Sequence, residues 1–276
     1  MKKFSKLGVV LLVLMFLTSV AFLGCDTENG EDIEPAGNGD SDTTDDVADT
    51  GEREELVMGT NADFPPFEFI DDNNEVAGFD VDLAKEIADI LNMDLKIENM
   101  DFDGLVAAVS TGMIDMAVAA MTITEERKEQ VNFSDAYIEA GQVIVVREDY
   151  DDIEGADDLT DKKVAAQLGT TGAIEAENLG VTDLVQFTKI TEVFMELAQG
   201  KVDAVVVDAP VANLFMNQQD GLKIVGDMLS AESYGIAVSK ENTELLNGIN
   251  DALSQIKESG KYDELLAKWF DDEEAE

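Results

Sequence analysis

Short apolar runs alternate with amphipathic stretches, and one such unit recurs later in the chain; together these predict an α/β protein of two similar lobes. The size agrees: 276 residues with 45% hydrophobic content can bury a good core and leave room for two modest domains. "ELVMGTN", "DLKIENM", "IDMAVAAM", "QVIVVRED", "KVAAQLG", "DAVVVDA" and "YGIAVSK" read as strands. "DVDLAKEIADILN", "FDGLVAAVSTG", "EVFMELAQG" and "TELLNGINDALSQIKESGKYDELLAKWF" read as helices. The recurrence aligns "STGMIDMAVAAMT" with "AQGKVDAVVVDAP", setting Gly112 on Gly200, Asp115 on Asp203 and Ala120 on Asp208. In each unit a helix ends at glycine and a buried parallel strand follows. Each lobe therefore offers the loop beyond its strand's C-terminal end, and the cleft between lobes becomes the default ligand site.

Before this body comes a segment of another kind. Lys2, Lys3 and Lys6 precede an apolar run over residues 7–23, and Gly24 and Cys25 follow. We read residues 1–25 as a lipoprotein signal peptide with Cys25, the chain's only cysteine, as the lipidated residue; Phe22 stands where the usual lipobox has leucine. Residues 26–55 are acidic and nearly free of large apolar side chains, so they read as a disordered tether, and residues 271–276 as an acidic tail.

Composition then excludes whole classes of chemistry. With 61 acidic against 18 basic residues and a net charge of −43, nucleic acid and anionic membrane surfaces are poor partners, which leaves the N-terminal lipid as the expected membrane contact. There is no histidine, so a Ser-His-Asp or Cys-His nucleophile and any histidine-held metal are excluded. With the one cysteine assigned to lipid, thiolate cages go as well. No catalytic residue, metal or cofactor is expected.

Three short stretches carry the polar chemistry. In "VAAMTITEER", Thr122 with Glu125 three residues on fits a capping box, which puts Arg127 in or near a helix's first turn. The helix dipole disfavours a cation there, so Arg127 is either solvated or faces an anion. In "AAQLGTTG", Thr170 and Thr171 stand where a helix begins, as an anion cluster or as plain caps. Asp208, just before Pro210, is an N-cap or a carboxylate facing the cleft. An arginine, two threonine turns and a carboxylate suit a ligand with one carboxylate and one ammonium, since each charge then meets its opposite.

"GTNADFPPFEFIDDNNEVAGFDVDLAKEIA", "MDFDGLVAAVSTGMIDMAVAAMTITEERKEQVNFSDAY", "QLGTTG", "DAVVVDA", "YGIAVSK" and "GKYDELLAKWF" occur in that order. In this the chain resembles the polar-amino-acid family of ABC-transporter substrate-binding proteins, over about residues 56–270. The resemblance implies a two-lobed type II periplasmic-binding-protein fold with its ligand cleft between the lobes and two hinge crossings, near 137–143 and 229–233. Lobe 1 would hold residues 56–139 and 234–270, and lobe 2 residues 140–233. It places Arg127, Thr122 and Thr171 on a ligand α-carboxylate, and Asp208 with the carbonyl of Ala120 on the α-ammonium. Phe64 and Phe102 would flank the side chain. Asn61 and Gln167 would set specificity, and a neutral amide at Asn61 favours a glutamine-like side chain over a basic one, because a buried cation would lack a full counter-charge. Trp269 is assigned to packing of the last helix.

The function implied is that of an exported lipoprotein on the outer face of the cell membrane, which acts as a monomer and delivers a free polar L-amino acid to an ABC-importer permease. The alternatives are the same role for arginine, lysine or histidine, or a cyclohexadienyl dehydratase on the same fold. A receptor sensor domain is the third class, disfavoured by the ending "DDEEAE" without a second membrane segment.

Overall fold

The computed structural model describes residues 53–270. The signal peptide, Cys25, the tether up to residue 52 and the acidic tail lie outside the described residues. In chain order the first half carries β1 (Glu55–Thr60), β2 (Asp63–Phe64), β3 (Glu68–Ile70), β4 (Val76–Ala77), α1 (Phe79–Ile90), β5 (Asp94–Asn99) and α2 (Leu105–Ser110). There follow β6 (Met116–Ala117), α3 (Glu125–Lys128), β7 (Val131–Phe133), β8 (Ile138–Ala140), β9 (Gln142–Arg147), β10 (Lys163–Gln167), α4 (Thr171–Asn178) and β11 (Asp183–Phe187). The remainder is α5 (Ile190–Ala198), β12 (Ala204–Asp208), α6 (Ala209–Gln218), β13 (Leu222–Val225), β14 (Glu232–Tyr234), β15 (Ala237–Ser239), α7 (Thr243–Glu258) and α8 (Lys261–Phe270).

Two five-stranded sheets result, ordered β5-β1-β6-β15-β7 and β11-β10-β12-β9-β13. They repeat one pattern. In the first, β1 runs parallel to β5 and β6, and β15 runs antiparallel to β6 and β7. In the second, β10 runs parallel to β11 and β12, and β9 runs antiparallel to β12 and β13. The recurring sequence unit therefore lands on equivalent strands, β6 and β12. Their apolar runs are buried because helices cover the sheet faces: in the first lobe α1 turns Phe79, Val81, Leu83, Ala84 and Ile87 inward and α7 does so with Leu245, Ile249, Ala252, Leu253 and Ile256, and in the second α5 does so with Ile190, Val193, Phe194 and Leu197.

The chain crosses between the lobes twice, and the crossings pair. β8 and β14 form an antiparallel ribbon that sets Ala140 opposite Glu232 and Ile138 opposite Tyr234. A side chain at Gly141, just beyond β8, would stand 2.2 Å from the carbonyl oxygen of Ser230, so only glycine lets the two crossings come this close.

Two local readings are corrected. The run "IDMAVAAM" keeps strand pairing only at Met116–Ala117, because the backbone leaves the ladder and turns at Ala120 with φ 44°. The long C-terminal stretch is two helices, divided where Gly260 adopts φ 83°. Trp269 packs as expected, with its ring edge-on to Phe69, and its indole N–H also donates to Asp82 Oδ2 at 3.0 Å. Among the described residues no helix is long and apolar enough to cross a membrane.

Candidate functional site

Strand ends bring the polar residues together. Asn61 follows β1, Ala119 and Ala120 follow β6, Gln167 ends β10, Thr170 and Thr171 open α4, and Asp208 ends β12. One narrow cavity is lined by Asn61, Phe64, Phe102, Ala120, Thr122, Arg127, Gln167, Thr171 and Asp208, together with Ala119 and Thr170. Every residue marked from the sequence as ligand-binding is therefore on one wall or another of this cavity. The two lobes meet across it: Gln167 donates to Asn61 Oδ1 at 2.8 Å, and Arg127 Nη2 donates to the Gly169 carbonyl at 3.1 Å.

Arg127 is the one cation among the lining residues, and it is only 8% exposed. Its Nη1 also donates to the Thr122 carbonyl at 2.6 Å, and the guanidinium lies 5.3 Å from the centre of the Phe102 ring. Burial lowers the guanidinium from its ordinary value, against the opposing charges of Asp208 and Glu232. Arg127 still remains a cation at any physiological pH. The cap of α3 differs from the sequence reading: Thr124, not Thr122, is the N-cap, its hydroxyl accepting from the Arg127 N–H at 3.1 Å. Thr122 is free of that duty because its hydroxyl reaches across the cleft.

That hydroxyl meets a residue the sequence reading did not mark. Glu232 Oε2 accepts from Thr122 Oγ1 at 2.6 Å, from Thr171 Oγ1 at 2.8 Å and from Gln142 Nε2 at 3.3 Å, while Oε1 accepts from Ser230 at 2.8 Å. A carboxylate on the hinge ribbon thus ties both lobes together through the two threonine hydroxyls. Thr170 is the side-chain cap of α4, accepting from the Ala173 N–H at 3.3 Å, so the cap reading holds for it. Thr171 is the first residue of that helix, and its amide belongs to the set of first-turn N–H groups without an intrahelical partner.

Asp208 occupies the N-cap position of α6 yet makes no side-chain cap bond. Instead its Oδ1 accepts from the Tyr234 hydroxyl at 2.5 Å. Burial pushes its carboxyl up to about 6, partly offset by the tyrosine hydroxyl and reinforced by the Glu232 charge. Opposite it in the fold, Ala120 donates its N–H to Asp80 Oδ2 at 2.7 Å, and the Tyr137 hydroxyl reaches the same oxygen at 2.8 Å. Asp80 sits in the quoted motif "GFDVD", where an acid in a helix's first turn reads as ordinary dipole compensation. Only its complete burial marks it as unusual. Phe64 and Phe102 line the cavity while also belonging to buried core clusters.

Comparison with known proteins identifies the family. "Bacterial extracellular solute-binding proteins, family 3" matches residues 56–272. The arginine-binding extracellular protein ArtP of Bacillus subtilis (strain 168) is 31% identical over 79% of this chain and 87% of its own. The ABC transporter glutamine-binding protein GlnH of the same organism is 32% identical over the full length of both chains. Among solved structures, an ancestral arginine-binding protein bound to glutamine is 48% identical with a TM-score of 0.76, covering 79% of this chain and 98% of that one. An ancestral arginine-binding protein bound to arginine is 49% identical with a TM-score of 0.75, covering 79% of this chain and 99% of that one. Sequence and architecture coincide along the same two-lobed span, and the chain belongs to the family 3 bacterial extracellular solute-binding proteins.

Proposed function

We propose that this protein is a non-enzymatic carrier that encloses one free polar L-amino acid between its lobes and delivers it to the permease of an ABC importer, held at the outer face of the membrane by lipid on Cys25. The observation that carries the reading is the charge inventory of the cavity: among its lining residues Arg127 is the one cation and Asp208 the one carboxylate. An amino acid's two main-chain charges match that pair, and burying both at once costs far less than burying either alone. Its carboxylate would meet Arg127, Thr122 and the first-turn amides at Thr171; its ammonium would meet Asp208 and the Ala120 carbonyl. The side chain would pass between Phe64 and Phe102 toward Asn61 and Gln167.

Glutamine fits the neutral amides at the far end. The aromatic flanks also suit a guanidinium, and the likeness to ancestral arginine-binding proteins solved with glutamine and with arginine supports arginine as the second reading. Titration calorimetry with L-glutamine and L-arginine tests the proposal. Saturable one-to-one binding of at least one of them supports it, and failure of both, together with the remaining polar L-amino acids, would sink it. Prephenate turnover by the same sample would move the protein to the dehydratase class.

A further inference from the structure

Behind the ammonium half of the site lies a buried acid pair that the proposed function does not use. Glu68 and Asp80 are both 0% exposed, on β3 and at the start of α1. Asp80 spends Oδ2 on the Ala120 N–H and the Tyr137 hydroxyl. Its Oδ1 and both oxygens of Glu68 have no N–H or O–H of the described protein to accept from. The two are set side by side in the fold, since the Asp80 N–H donates to the carbonyl of Phe67, the residue before Glu68, at 2.9 Å, and each carboxyl acts on the other. Two carboxylates in that position would be two unpaired, desolvated charges side by side; one proton between them satisfies an oxygen on each and removes the repulsion.

We propose that Glu68 and Asp80 share one proton, and that this pair is the positioning device which holds Ala120 in its left-handed turn and so aims the Ala120 carbonyl at the ligand's ammonium. The inference rests on the carrier reading for the word "ammonium", while the pair itself does not. Ala120 has φ 44°, a conformation an alanine does not hold without support, and Asp80 supplies that support through a bond reaching across 40 positions of sequence. Glu68 does not line the cavity; its part is to carry the proton that lets Asp80 remain buried.

The titratable groups that face the pair come from every side. Glu68 feels Asp80 on α1 and Asp208 at the end of β12; Asp80 meets Tyr137 before β8, and its charge reaches Tyr262 on α8. Burial pushes Asp80 up to about 7 and Glu68 well above its ordinary range. A carboxyl raised in the folded state stabilises fully below its unfolded value, and that stability is lost as pH rises through the folded one. The window here therefore opens near the ordinary carboxylate range and runs through neutrality. Because the chain contains no histidine, few other side chains change charge in that window.

The test measures the unfolding midpoint of the protein without added amino acid from pH 5.5 to 8.5, for wild type and Glu68→Gln. Glutamine keeps the shape of the pair and donates a fixed N–H, so the midpoint of wild type should fall by about 5–10 °C more than that of the variant across the range. In parallel, calorimetry with L-arginine and L-glutamine compares Asp80→Ala with Asp80→Asn. The alanine variant should lose at least about tenfold in affinity, and the asparagine variant, which retains an acceptor for the Ala120 N–H, should recover most of it. Parallel pH profiles for wild type and Glu68→Gln overturn the shared proton. An Asp80→Ala variant that binds like wild type overturns the positioning role; should that variant fail to fold, the Glu68→Gln profile decides. If wild type binds neither these two nor any other polar L-amino acid, the carrier reading fails while the pH profiles still decide the pair.

Discussion

At the end of β6 the chain leaves its ladder after two residues and turns through Ala120 at φ 44°, whereas at the end of β12 a regular five-residue strand runs straight into Asp208. These are equivalent places in two sheets of the same strand order. At each place stands an aspartate bonded to a hinge tyrosine: Asp80 of α1, which takes the Ala120 N–H, is bonded to Tyr137, and Asp208 is bonded to Tyr234. The difference lies in which atom reaches the cavity. Lobe 2 offers the carboxylate itself; lobe 1 keeps its aspartate behind the backbone and offers a peptide dipole instead. Under the proposed function, a second charge at Ala120 would exceed what one ammonium can balance, while a backbone carbonyl adds an acceptor without adding desolvation of an ion.

The comparison can be broken most sharply at the charges. Replacing Arg127 with alanine should remove tight amino-acid binding, because a desolvated pair that loses one partner costs about 3–5 kcal/mol, roughly a hundred- to several-thousand-fold in affinity. Calorimetry beside a circular-dichroism spectrum checks it: a loss under fivefold with the fold intact would make Arg127 a structural tie to Thr122 and Gly169 only. On the other lobe, pH reads the carboxylate. Asp208 must be ionised to take an ammonium, and burial holds its carboxyl at about 6, so affinity should weaken on acidification by about tenfold between pH 7 and pH 5. Asp208→Asn should be weak throughout and lose that acid limb. A variant as pH-sensitive as wild type would assign the titration elsewhere.

Selectivity is a smaller effect and belongs to the seam between the lobes. Asn61 Nδ2 donates to the Met100 carbonyl at 2.9 Å while its Oδ1 accepts from Gln167. Asn61→Asp keeps the second bond and adds a charge, so the ratio of dissociation constants for arginine and glutamine should move toward arginine by about 1–3 kcal/mol, roughly tenfold or more. An unchanged ratio at fixed salt would remove Asn61 from the side-chain pocket. Smallest of all should be Ala120→Gly. Relief of the left-handed turn and the greater freedom of glycine in the unfolded chain oppose each other, so stability should change by less than about 1 kcal/mol. A larger loss in thermal unfolding would mean that the Ala120 methyl, not the bond from Asp80, holds the turn.

Much of this site could be read before folding was considered, because its residues stand at punctuation. Asp208 precedes a proline-led helix, Thr170 and Thr171 sit between glycines at a helix start, and Arg127 is a rare cation beside an apolar strand. Other residues of the site carry no such signal. Glu68 lies among phenylalanines in "PPFEF", Gln142 begins an apolar strand and Glu232 is one acid among 61 in the chain. Each is ordinary by local pattern, and each matters through partners far away: Glu232 meets Thr122 110 positions off, and Gln167 meets Asn61 106 positions off.

By itself, then, the sequence determined what local physics controls: the alternation that makes two α/β lobes, the repeated unit that puts Ala120 and Asp208 at matching strand ends, and the absence of histidine that removes whole reaction classes. Apolar period, helix caps and composition act within a few residues, so they can be read directly. The tertiary structure decided which acids are buried, which of them lie against each other and which polar groups join the lobes. Those outcomes depend on desolvation and on the few ångströms separating groups from distant elements, and neither quantity exists until the two sheets have packed and the hinge ribbon has brought the lobes together.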